Sequence, residues 1–134
     1  MAILEPSEAA PPRVQCIREV RIDVWYEKAA AVREFYEQVL GMMPWPEPRQ
    51  IPGGWGVGDP NCGLYFQFRH DPPVADPLRR RFSLVTDSLD LLEKRLVERE
   101  IAHSRVRGFG VTDQAIWLND PSGYRVEIRQ SQSI

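Results

Sequence analysis

Histidine and cysteine are scarce in this chain of 134 residues. There are two of each, His70 and His103, Cys16 and Cys62. The cysteines lack metal-type spacing and read as free thiols. Neither histidine stands in a motif: His70 lies beside a proline-rich joint and His103 in a polar stretch, where surface or capping roles are ordinary. No Gly-x-Ser-x-Gly, no glycine-rich phosphate loop and no cysteine–histidine nucleophile pair occurs. A basic excess is also missing. The net charge is −2 and the pI about 5.7, which argues against nucleic acid as a partner. Arg79-Arg80-Arg81 is the one basic run, short enough to be the solvated start of a strand. The first residues carry no basic segment followed by an apolar one, and no apolar run approaches the ~20 residues that cross a membrane. The expectation is a cytoplasmic protein with no membrane partner.

What is present is alternation. From Trp117 to Arg129 the chain reads W-L-N-D-P-S-G-Y-R-V-E-I-R. An apolar run (115–118) meets Asp120-Pro121-Ser122-Gly123, and then Tyr124, Val126 and Ile128 alternate with Arg125, Glu127 and Arg129. Proline presets φ in such a turn and glycine closes it, so this is a β-hairpin with Glu127 on the polar side of its second arm. A related phrase occurs earlier, Asp59-Pro60-Asn61-Cys62-Gly63 followed by L-Y-F-Q-F-R. Gly63 and Gly123 lie 60 residues apart, and Gln67 then corresponds to Glu127, which suggests an internal duplication.

Both halves have the same order. Residues 1–13, with three prolines, read as a loose tail. Over 16–25, Val20, Ile22 and Val24 alternate with Glu19, Arg21 and Asp23, a half-buried strand. Over 28–40, Val32, Phe35, Tyr36, Val39 and Leu40 form a helical stripe, and Gly41 follows as its terminator. The prolines at 44, 46, 48 and 52 predict irregular edge strands before the first hairpin. After a joint at 70–77 comes a strand over 81–86. A helix follows, capped by Asp87 or Ser88, with Leu89, Leu92, Leu96 and Val97 as its buried stripe. A weak strand in 101–110 precedes the second hairpin. The expected fold class is α+β: two βαβββ modules, 14–70 and 78–130, one helix each, forming a cupped mixed sheet. At about 60 residues apiece they are too small to stand alone and should share one core.

In this pattern, R-E-F-Y-E-Q-V-L-G-M (33–42) and D-P-S-G-Y-R-V-E-I (120–128) resemble the vicinal oxygen chelate superfamily of glyoxalases, bleomycin-resistance proteins and extradiol dioxygenases. The likeness spans roughly residues 16–130. It implies a cup whose first and last strands in each module carry the chemistry, with His, Gln or Glu around a divalent metal that chelates two substrate oxygens. Those positions map to Glu19 and Gln67, and to Arg81 and Glu127. Arg81 stands where a histidine would be. A guanidinium is permanently charged, offers no lone pair and repels a cation. The expectation is therefore no metal cofactor, with Arg81 in the cation's place and bonded to Glu127.

Three readings follow from the resemblance. One is a small-molecule-binding protein of the bleomycin-resistance type with a degenerate metal site, in which Gln67, Arg81 and Trp55 contact the ligand. The second is a lyase, isomerase or dioxygenase of the superfamily, metal-dependent and acting on vicinal oxygens. In the site itself, the catalytic reading has Arg81 hold an anionic group while Glu127 or Glu19 accepts a proton. The third is a structural relative whose cup is closed by salt bridges. Four tryptophans and proline-rich edges point to covered surfaces, and with the resemblance to a homodimer.

Overall fold

Strand β1 (Glu19–Trp25) opens the first module in the computed structural model, which describes residues 10–59, 62–72, 81–107 and 114–131. A short 3-10 turn leads into α1 (Ala29–Glu34), which continues without a break as a π-helical segment (Phe35–Val39). The wider turn keeps the predicted apolar stripe in place, with Val32, Phe35, Tyr36 and Val39 all buried. Gly41 ends the helix at φ +72°, the left-handed conformation its position requires. Strands β2 (Gly54–Asp59) and β3 (Cys62–Arg69) form the first hairpin, and β1 pairs with β3 in parallel to give a sheet ordered β1-β3-β2. The further strand expected over 42–52 is reduced to one bridge, Pro44 to Val57. Proline has no N–H to extend a ladder there.

The second module runs β4 (Arg81–Thr86), α2 (Leu89–Glu98), β5 (Ser104–Val106), β6 (Ala115–Asn119) and β7 (Arg125–Gln130), in a sheet ordered β4-β7-β6-β5. Ser88 is the cap of α2, accepting from the Leu91 N–H at 3.2 Å. Leu89, Leu92 and Leu96 are buried as predicted, but Val97 is 63% exposed. It lies one residue round the helix from Leu96, off the stripe that faces the sheet. Val20 is likewise exposed, while Ile22 and Val24 on the same strand are buried.

One continuous apolar core joins the modules, running from Ile22, Tyr36 and Phe66 to Leu96, Ile116 and Val126. The expectation of a shared core is met. Tyr36 carries the join, touching Phe66 of its own sheet and Phe82 of the other, at ring separations of 4.6 and 6.2 Å. The helices cover the apolar face of each sheet, which leaves each opposite face as a candidate site. Residues 1–9 of the expected tail, 73–77 of the expected joint and 78–80 at the start of the second module lie outside the described residues.

Candidate functional site

The outer face of the second sheet is a small grid fixed by register. Arg81, Arg125 and Asn119 stand abreast in one row, and Ser83, Glu127, Trp117 and Ser104 form the next. Val85, Arg129, Ala115 and Val106 form the third. Glu127 sits at the centre. Its side chain is 13% exposed, and one carboxylate oxygen takes the Nε–H of Arg129 and, at 3.4 Å, the Ser83 hydroxyl. Arg125 lays its guanidinium over the Trp117 ring at 4.7 Å. Beside that pair a cleft of about 270 Å³ opens, lined by His103, Ser104, Trp117, Asn119 and Arg125. The ring nitrogens of His103 contact the Ile101 carbonyl and the Glu93 carboxylate, which ties the cleft wall to α2.

On the first sheet the β2–β3 part of the corresponding face is filled by the chain itself, while the β1 edge stays exposed. The segment after α1 folds back so that Trp45 lies flat on Gly56 and Gly63; a Cβ at Gly56 would fall 1.8 Å from the Trp45 ring. Trp45 is 4% exposed and stacks on Tyr65 at 6.1 Å, with the Arg49 guanidinium over its ring at 4.7 Å. The Tyr65 hydroxyl donates to the Ile51 carbonyl at 3.0 Å. Gln50 straps the segment to β2 by donating to the Gly56 carbonyl and accepting from its N–H. The charged residues of β1 are paired, Arg21 with Glu19 on the same strand and Asp23 with Arg69 of β3.

These placements revise the residue assignments made from sequence. Arg81 does not bond to Glu127: it stands abreast of Arg125, and Ser83 is the residue level with Glu127. The cause is a register two residues away from the assumed one. Glu19 is level with Gly63, and Asp23 is the neighbour of Gln67. Four strand residues separate Glu19 from that level, about 13 Å. Trp55 is on the helix side of β2, stacked on Phe66 in the core, so it does not share a face with Gln67. The residues sequence reasoning passed over are Ser83, Trp117, Arg125 and Arg129. Alternation with Glu127 put both arginines on the right face, but neighbours across strands needed the register.

A second feature was visible only as two separate motifs. Asp120, 5% exposed, accepts the Tyr36 hydroxyl at 2.6 Å on one oxygen, and on the other the Ser122 and Tyr124 N–H groups and the Ser122 hydroxyl. The helix tyrosine of one module thus closes the turn of the other. Burial, and then the Asp120 charge, hold the Tyr36 hydroxyl well above its ordinary value of 10.0. Tyr124 adds a second tie, donating to the Asp23 carbonyl at 3.1 Å.

A divalent metal suits this donor set poorly. The outer face of the second sheet offers one carboxylate, already bonded to Arg129, amid two further guanidiniums. No cluster of three or more His, Cys, Asp or Glu side chains poised for a metal occurs among the described residues.

Topology and paired modules place the chain among known folds. A glyoxalase/dioxygenase from Nostoc punctiforme superposes with a TM-score of 0.73 at 17% identity, over 98% of both chains. The antibiotic-binding protein TnmS3 from Streptomyces sp. CB03234 gives 0.70 at 16% identity, over 91% of this chain and 100% of its own. A lactoylglutathione lyase from Agrobacterium tumefaciens gives 0.66 at 19%, over 91% and 96%. No protein-family model matches the sequence, and no curated protein matches it either. The chain has the vicinal oxygen chelate fold, as its motifs led one to expect. Identities this low establish the fold and leave the chemistry to the site.

Proposed function

We propose that this chain is a small-molecule-binding protein, working without a resident divalent metal, whose site is the bare outer face of the second sheet. The contrast between the two faces carries the reading. Trp45 fills the first, whereas the second keeps a cleft beside Trp117 with polar groups around it. The likeness in fold to an antibiotic-binding protein is in keeping with it. Arg81 contacts the ligand in this reading, and Glu127 is an acceptor within reach of the site. Glu19, Gln67 and Trp55 take no direct part. A cytoplasmic location and a homodimer, testable by sedimentation at micromolar concentration, belong to the same proposal. The test is ligand-observed NMR with a library of small aromatic and polyoxygenated compounds. Hits should be retained in Trp45→Phe and lost in Trp117→Ala; hits indifferent to Trp117 would defeat the reading.

The second reading is a metal-dependent lyase, isomerase or dioxygenase acting on vicinal oxygens, with Glu127 as its catalytic carboxylate. The central, mostly buried position of Glu127 favours it. Elemental analysis decides between the two. One zinc, nickel or manganese per chain, abolished by Glu127→Gln, would replace the first reading with the second.

A further inference from the structure

The arginines on the two outer faces do not all have partners. Arg21, Arg69 and Arg129 each bond a carboxylate. Arg81 and Arg125 stand abreast on neighbouring parallel strands, and among the described residues neither forms a salt bridge. Adjacent strands run about 4.8 Å apart, and like charges directly abreast are destabilising. Among the described residues, the second sheet's face therefore gathers Arg81, Arg125 and Arg129 against Glu127 alone, in a chain whose net charge is −2. Stacking on Trp117 orients the Arg125 guanidinium at the wall of the cleft while its N–H edge stays available.

We propose that this face binds a small organic oxyanion, a carboxylate or a phosphate monoester. Arg81 and Arg125 bridge the anion, and the uncharged body enters the 270 Å³ cleft along Trp117, Asn119 and Ser104. The inference rests on the small-molecule reading above and adds the charge class of the ligand. Guanidinium pairs suit oxyanions because their planar forks match two oxygens at once. The acidic chain as a whole disfavours a long polyanion.

The test uses the whole chain and four probes: benzoate, phenyl phosphate, the neutral isostere benzamide, and inorganic phosphate, titrated while the Trp117 indole resonance is followed. Benzoate or phenyl phosphate should shift that resonance saturably and bind at least about tenfold more tightly than benzamide. Whichever of the two binds better distinguishes a carboxylate from a phosphate ligand. The affinity should fall as salt is raised. Arg81→Gln and Arg125→Gln should each weaken binding about tenfold, and Arg99→Gln just beyond the end of α2 should not. Benzamide binding as tightly as benzoate, with both shifting Trp117, would overturn the anion proposal and leave the small-molecule reading standing. Inorganic phosphate binding as tightly as phenyl phosphate would overturn the role of the cleft, hence the organic ligand. Absence of any shift at Trp117 with all probes would overturn both.

Discussion

The two sheets share a plan and differ in what lies on them. Asp23 is level with Gln67 on the first and Ser83 with Glu127 on the second, so both members of the pair are displaced by the same 60 residues. The helices keep the offset as well: Val32, Tyr36 and Glu37 correspond to Leu92, Leu96 and Val97. Yet the first sheet is floored with glycine and roofed by Trp45, while the second carries exposed arginines around a half-buried Trp117 and a mostly buried Glu127. Filling one face with its own side chain gains apolar burial on a sheet that would otherwise be wet. No side chain of the chain's own roofs the other face in the same way among the described residues. The glycines that aligned the two halves differ in the same way. Gly63 is already in β3, pressed under Trp45, whereas Gly123 sits in the turn at φ +92°.

The sharpest way to break this contrast is Trp45→Ala. Removing the buried indole should cost about 3–5 kcal/mol in urea unfolding, the range for a large aromatic packed on a fixed surface. A loss below about 1 kcal/mol would mean that the 44–52 segment does not hold the first face shut. Gly56→Ala attacks the same contact from below and should cost about 1–3 kcal/mol by overpacking. In a Trp45→Ala background that penalty should largely vanish, because the colliding ring is gone, and the double-mutant cycle measures the coupling directly.

Tyr36→Phe tests an asymmetry in the cores, since the matching position in α2 is the apolar Leu96. It leaves one Asp120 oxygen buried without its donor, an expected loss of about 1–3 kcal/mol. The wild type should also show an alkaline dependence that the variant lacks. The folded-state pKa of Tyr36 is raised above its unfolded value, so its contribution is fully present below pH of about 10 and is lost as pH rises toward the folded value. Unfolding free energies compared at neutral and strongly alkaline pH check the sign. The smallest effect belongs to Val97→Glu, which copies Glu37 from the other module onto an exposed helix position. It should change stability by no more than about 0.5 kcal/mol, and a larger loss would show that α2 has a covered outer surface where α1 does not.

Much of the fold was legible in the residues. Period-two stretches over 16–25, 81–86 and 124–129 became strands Glu19–Trp25, Arg81–Thr86 and Arg125–Gln130, and the apolar stripes became the two helices, because each element must bury one face and the spacing of apolar residues says which. Val97 misled only because it adjoins Leu96 in sequence while pointing elsewhere on the helix. The face that carries Glu127 was readable for the same reason. Its neighbours were not: alternation orders residues along a strand but is silent on how two strands slide past one another. A shift of two residues preserves every face and changes every partner, which is how Arg81 came to be matched with Glu127 in place of Ser83.

Sequence by itself thus determined most of the elements, the 60-residue repeat of the two hairpins and the polar face of each sheet, consequences of local periodicity and of a repeated Asp-Pro turn phrase. Tertiary structure alone decided that Trp45 would close the first face, that Tyr36 would reach across to Asp120, and that Arg81 and Arg125 would stand side by side without a carboxylate between them among the described residues. Those outcomes depend on contacts between residues 11 to 84 positions apart, and such contacts are set by packing around a common core rather than by any local pattern.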